Sequence, residues 1–376
     1  MKRIFLWAAA YVLLAVIVTG CTGALKSKTV IIPDAEESRE PQSLSETFEV
    51  NKIYKLPENE DGELFGWTDK EHVLGYFGKR GRERSFEELD YEFKTRQPLP
   101  DIHGFVHGVK VSADGAYASF SVQIGGKEKL MLLRLADQKQ TVLREWANKE
   151  RVVVTGQMSW SNNGRYVSFV QENGNQEAVI AVYDVTRQET KEFKFTGKTT
   201  ENDHIYSVQV SDDGASALIF KIAVRQPYIV FGSFQGDAFV SQYEHPVSSE
   251  GNGDFVNDDQ IVFVGEEGSL TLFDRRNAKI TTLLERSGVF QLSRDRKYIA
   301  YSKGRENLYV AKLQGNNIMN EKEIYKGIVP EQIEWSPDNR RMLLTGRKWY
   351  EPRPSASVPI VAPFTQNNSL FIIEFK

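Results

Sequence analysis

Residues 208–220 read VQVSDDGASALIF: an apolar strand, a Ser-Asp-Asp-Gly turn and a second apolar strand. The phrase returns as VKVSADGAYASFSV from Val109, MSWSNNGRYVSFV from Met158, FQLSRDRKYIAYS from Phe290 and IEWSPDNRRMLLTG from Ile333. Looser copies are FGWTDKEHVLGYFG from Phe65 and FVNDDQIVFVG from Phe255. With the serine or its substitute as register mark, the copies fall at Thr68, Ser112, Ser161, Ser211, Asn257, Ser293 and Ser336. Their spacing runs from 36 to 50 residues. Self-similarity at about 45 residues is the period of one four-stranded propeller blade.

Turn chemistry accounts for the phrase. Asp, Asn and Ser close turns through local side-chain hydrogen bonds, and Gly115, Gly164 and Gly214 take positive φ at little cost. The flanking runs RYVSFV, KYIAYS and QIVFVG are rich in Val, Ile, Phe and Tyr, as strands are. Each unit continues with a third strand, such as AVIAVYDV from Ala178, and a more polar fourth, such as TKEFKF from Thr190. The spacing therefore predicts an all-β chain: a seven-bladed β-propeller of four-stranded antiparallel blades over residues 48–376. The sequence ends on SLFIIEFK, a third strand with no fourth after it. FEVNKIYKL, from Phe48, precedes the first inner strand and is expected to complete the last blade. Such closure removes an unpaired sheet edge.

Trp160-Ser161 and Trp335-Ser336-Pro337-Asp338 carry a resemblance to the TolB-like and WD-type β-propeller repeats, marked by a Trp-Ser-Pro-Asp-Gly phrase. The resemblance covers residues 48–376, and Asn257 and Arg294 depart from it. The whole chain looks like a surface lipoprotein of Gram-positive bacteria with such a propeller. That likeness implies fold and location and little about partner.

The N-terminus points to the same address. Lys2 and Arg3 precede an almost wholly apolar run from Ile4 to Val18, followed by Val18-Thr19-Gly20-Cys21. A charged start, a short apolar stretch and small residues describe a signal peptide over residues 1–20. The apolar run is short for a membrane span. The small-small-Cys ending resembles a bacterial lipobox, in which Cys21 receives lipid and becomes the first residue. Cys21 is the single cysteine of the sequence, so no disulfide forms within one chain. Residues 21–47, rich in Ser, Glu, Thr and Pro, read as a tether spanning roughly 25–30 Å. The expected location is the extracytoplasmic face of the cell membrane, held by lipid on Cys21.

The chain has 47 Lys and Arg against 51 Asp and Glu, a net charge of −4. Removal of residues 1–20 takes away Lys2 and Arg3 and makes it −6. Nucleic-acid binding is not expected from this balance. Basic residues nonetheless gather where the second strand of a blade turns into the third: Lys79, Arg80, Arg82 and Arg84; Lys127 and Lys129; Lys221 and Arg225; Lys303 and Arg305; Arg347, Lys348 and Arg353. The third and fifth blades carry Glu172, Glu177, Glu266 and Glu267 there instead. These turns share one face, and a basic arc on it suits an anionic partner.

The corresponding connection of the last blade, residues 347–368, is the longest, with Pro352, Pro354, Pro359 and Pro363 beside Trp349, Tyr350 and Phe364. Long insertions in compact domains are often functional, and aromatic and Arg side chains anchor interfaces. Trp349, Tyr350, Arg353, Phe364, Lys79, Arg80, Arg82, Arg84, Arg225 and Arg305 are therefore the candidate partner-binding residues. The same insertion also reads as a cap over the ring's own core.

No Gly-x-Ser-x-Gly elbow, phosphate loop or second cysteine occurs. His103, His107 and His204 lead into inner strands, without an acidic partner at fixed spacing. No metal or cofactor is expected. The sequence predicts a non-catalytic binding or scaffold module for a protein, a peptide or an envelope polymer. An envelope lyase or hydrolase working at the axial mouth is the alternative.

Overall fold

The computed structural model describes residues 48–57, 61–78, 84–99, 102–147, 153–172, 178–196, 204–248, 253–348 and 369–376. The signal peptide, Cys21 and the tether lie outside them. Every regular element described is a β-strand.

Strand β1 (Val50–Lys55) is followed by four-stranded units. The first holds β2 (Asp61–Trp67), β3 (His72–Gly78), β4 (Ser85–Asp90) and β5 (Arg96–Pro98). The second holds β6 (Phe105–Val111), β7 (Tyr117–Ile124), β8 (Lys127–Arg134) and β9 (Lys139–Ala147). The third holds β10 (Val153–Trp160), β11 (Tyr166–Glu172), β12 (Ala178–Asp184) and β13 (Glu189–Phe195), and the fourth β14 (His204–Val210), β15 (Ser216–Ala223), β16 (Gln226–Gln235) and β17 (Ala238–Pro246). The fifth comprises β18 (Gly253–Asn257), β19 (Gln260–Val264), β20 (Leu270–Asp274) and β21 (Lys279–Leu284). The sixth comprises β22 (Phe290–Leu292), β23 (Tyr298–Lys303), β24 (Asn307–Gln314) and β25 (Asn317–Lys326). The last has β26 (Val329–Trp335), β27 (Arg341–Arg347) and β28 (Ser369–Phe375), with β1 added antiparallel to β28 from Val50↔Phe375 to Lys55↔Phe371. Its outer strand is thus the segment FEVNKIYKL.

The expectation of seven separate blades needs correction. Hydrogen bonding groups the strands into five four-stranded sheets and one eight-stranded sheet, ordered β10-β11-β12-β13-β17-β16-β15-β14. The join is a short parallel pairing of the outer strands β13 and β17, at Lys194↔Ala238 and Phe195↔Phe239. The Thr196 hydroxyl extends it by donating to the Phe239 carbonyl at 2.6 Å. Phe193 stacks on Phe234 with centroids 4.0 Å apart, and Phe195 on Phe239 at 5.8 Å. Pairing two outer edges covers groups that would otherwise face water. The sequence marks TKEFKF as a more polar outer strand and says nothing about this lateral contact.

The arrangement is propeller-like. Apolar clusters lie between consecutive units: Phe86 and Leu74 with Phe120 and Val109, Leu130 with Trp160 and Phe169, Val170 with Val208 and Val230. Further round, Phe231 meets Phe263, Leu272 meets Tyr301, and Val310 meets Trp335. A last cluster joins Leu64 and Trp67 to Leu343 and Ile372, bringing the first unit against the last. There the Trp67 indole donates to the Glu334 carbonyl at 3.1 Å. Trp160 and Trp335 repeat that bond to the Lys110 and Gln291 carbonyls, each in the preceding unit, at 3.3 and 3.2 Å. The tryptophan of the repeat phrase thus stitches one inner strand to the next.

Candidate functional site

The inner strands give the molecule two ends near the axis. At one end lie the Ser-Asp turns that leave the inner strands. At the other lie the starts of the inner strands and the turns between second and third strands.

The Ser-turn end is spent on structure. Ser112, Ser161, Ser211, Ser293 and Ser336 are all buried. Each donates to the Asp or Asn two residues on, at 2.5–2.7 Å. Each also accepts from the amide five residues on, at 2.8–2.9 Å. Neighbouring turns are bonded as well: the Asn163 amide donates to Asp212 Oδ1 at 2.7 Å. The Asn162 side chain donates to the Arg294 carbonyl at 3.0 Å, linking the third unit to the sixth across the axis.

Charge lies just inside this closure. Buried Asp254 accepts hydrogen bonds from both terminal guanidinium nitrogens of Arg296, one at 3.2 Å, and from Gln209 Nε2 at 2.8 Å. Burial pushes the Glu334 carboxyl above its ordinary range; Lys110 opposes the shift and Asp254 adds to it. Burial also lowers the Arg294 guanidinium, against the pull of Asp114 and Glu334.

The strand-entry end is different. Phe105 is 68% exposed, and its ring lies 5.7 Å from that of His107, which bonds Glu128 at 2.8 Å. Ile124 and Ile222, at the ends of second strands, are also exposed. The β15–β16 connection is a two-residue hairpin, Val224-Arg225, with φ of +49° and +71°. Two positive φ values define the turn for which Asn-Gly is preferred, and the second unit uses Gly125-Gly126 at the same place. A β-branched residue there is an outlier. Left-handed backbone costs an ordinary residue roughly 1–2 kcal/mol. Val224 is 75% exposed, so burial of its side chain does not offset that cost.

Of the sequence candidates, Arg225 stands on this tip. Arg84 lies 3.5 Å from Glu63, and Arg305 sits in the β23–β24 turn. Lys79, Arg80, Arg82, Trp349, Tyr350, Arg353, Phe364 and Cys21 lie outside the described residues. Among the described residues, much of the basic arc is matched by carboxylates on neighbouring strands: Lys129 with Glu145 at 3.0 Å, Lys221 with Glu244 at 2.9 Å, Lys303 with Glu321 at 3.1 Å, and Arg347 with Glu331. Sequence reasoning missed Phe105 and Val224. The available signal was Val-Arg at a two-residue hairpin tip. Among the described residues, no three His, Cys, Asp or Glu side chains are grouped to hold a metal ion. No helix among them is long and apolar enough to cross a membrane.

No protein-family model matches the chain, and no curated protein matches it in sequence. Solved structures do match in fold. An oligogalacturonate lyase in complex with manganese is 10% identical over 88% of this chain and 96% of its own, with a TM-score of 0.59. An oligogalacturonate lyase from Vibrio parahaemolyticus gives 10%, 88%, 96% and 0.53. A chain of a mitotic checkpoint complex is 15% identical over 87% of this chain and 95% of its own, at 0.56. At these identities the likeness concerns the β-propeller-like fold alone.

Proposed function

We propose that this chain is a non-catalytic binding module on the extracytoplasmic face of the cell membrane, held by lipid on Cys21, that docks an envelope protein, peptide or anionic polymer on its strand-entry end. In this reading the eight-stranded sheet is two TolB-like or WD-type blades joined at their outer edges, within a ring of seven. One observation carries the docking role. Val224 and Arg225 hold a strained turn whose side chains point an apolar and a cationic group into solvent. Backbone strain persists where function requires it, and Arg is an enriched interface anchor. Exposed Phe105, Ile124 and Ile222 on the same end extend the apolar character.

The test is the double variant Val224→Asn, Arg225→Gly, which supplies the residues this turn prefers. It should gain about 1–2 kcal/mol of stability from relieved strain. It should also lose the partner trapped by a photoreactive residue at Ile222 in intact cells. Undiminished crosslinking to that partner sinks the reading.

A second reading is an envelope lyase. It is favoured by the two oligogalacturonate lyases among the fold neighbours and by the His107–Glu128 pair at the entry end. Alanine at His103, His107 and His204 separates the two: a lyase loses turnover, and a docking module keeps its partner.

A further inference from the structure

Away from the Val224-Arg225 tip, a cavity of about 250 Å³ opens where the first unit meets the last. Glu63 and Phe65 of β2, Glu331 and Gln332 of β26, Thr345 of β27 and Leu370 of β28 line it. Thr345 is more than nine-tenths buried, and its hydroxyl has no hydrogen-bond partner among the described residues. Unmade bonds of this kind are expensive and ask for a ligand or ordered water. The volume lies just under the ~300–1,000 Å³ of common ligand pockets, so one small ring fits better than a chain of them.

The wall chemistry selects the ligand. Glu63 lies 3.5 Å from Arg84, and Glu331 is bonded to Arg347. Each carboxylate charge is therefore already matched, while its remaining lone pairs still accept hydrogen bonds. The Gln332 amide donates to the Phe65 carbonyl at 3.5 Å, which turns its oxygen into a further acceptor. A cation would have to compete with two arginines. An anion would meet two carboxylates. A neutral ligand rich in hydroxyl donors meets acceptors on one side and the apolar Phe65 and Leu370 on the other. We propose that this seam cavity binds a neutral pyranose sugar. The site is independent of the docking role, since no residue of the fourth unit lines it.

The test is saturation-transfer NMR on the full-length chain in a sugar-free detergent, with methyl β-glucopyranoside as neutral probe and galacturonic acid as charged one. The glucoside should bind with Kd in the millimolar range, and the uronic acid at least about tenfold more weakly. Thr345→Val keeps the shape and removes the hydroxyl, so it should weaken glucoside binding roughly five- to tenfold. The same change should leave the thermal midpoint of the free protein unchanged or higher, because it deletes an unpaired polar atom. Glu331→Gln, on a partly exposed side chain, should weaken binding several-fold without unfolding the seam. The proposal fails if the glucoside gives no transfer, if both sugars bind equally, or if neither variant changes the affinity.

Discussion

Replacing Phe48 by alanine tests whether the N-terminal segment locks the last unit to the sixth. The Phe48 ring meets Tyr298, Trp335 and Phe375 edge-on, with centroids 4.9, 5.7 and 5.2 Å apart. Tyr298 belongs to the sixth unit and the other two to the last, so one side chain ties β1 across two units. A fully buried Phe→Ala change costs about 3–5 kcal/mol. Phe48 is only partly buried, which brings the expected loss to about 2–3 kcal/mol, some of it from the edge-on ring contacts. The control is Ile53→Ala on the same strand, whose side chain is exposed and should cost well under about 1 kcal/mol. Urea unfolding followed by tryptophan fluorescence reads both. With a slope of about 3 kcal/mol per molar, Phe48→Ala should lower the midpoint by roughly 0.7–1 M at unchanged slope. Equal midpoints for the two variants would refute that locking role, since β1 would then be a decorative edge.

Two further outcomes follow from polar groups on the inner strands and their turns. Ser211→Ala removes the acceptor of the Ser216 amide at 2.9 Å and the donor to Asp213, so it should cost about 1–3 kcal/mol in chemical denaturation, while partner capture stays intact. Glu334 has a raised pKa through burial, so the folded state keeps its proton to higher pH than the unfolded chain does. Its burden is absent below the ordinary carboxylate range and grows as pH rises through and above it. Glu334→Gln should therefore match the parent near pH 4 and melt higher at pH 7. An equal loss at both pH values would contradict that account.

The strands were legible because the repeat phrase states both flanks of a hairpin and the turn between them. The Ser-to-Asp and amide-to-Ser bonds recur from Ser112 to Ser336, and in two copies Arg296 and Asn339 take the positive φ that glycine takes elsewhere. The missing fourth strand was legible too, because SLFIIEFK needs a neighbour and Phe48–Leu56 had none. The fusion of β13 to β17 was not. It rests on two parallel residue pairs and on Phe193 reaching Phe234, contacts between two units that the repeat pattern gives no reason to pair. The placing of the basic residues in turns was legible, and their ion pairs were not. A list of basic turn residues contained Arg225, but it did not reveal that Lys129, Lys221 and Lys303 meet carboxylates from adjacent strands.

Departures from the repeat sort by whether the fold absorbs them. Arg294 and Arg296 replace the usual small turn residues of the sixth unit, and both are taken up inside. Arg296 neutralises buried Asp254, and the Arg294 guanidinium, taken partly out of water, is drawn by the charges of Asp114 and Glu334. Their irregularity is explained by packing, so it calls for no partner. Val224 and Arg225 depart equally from the Asn-Gly that their hairpin asks for, but nothing comparable compensates them: the valine is three-quarters exposed and the backbone stays left-handed. Thr345 is the same kind of exception in miniature, a buried hydroxyl with no hydrogen-bond partner among the described residues. In a repeat protein most side chains are dictated by the repeat. The positions that pay a local cost without a structural return are therefore where a ligand or a partner most economically completes the account.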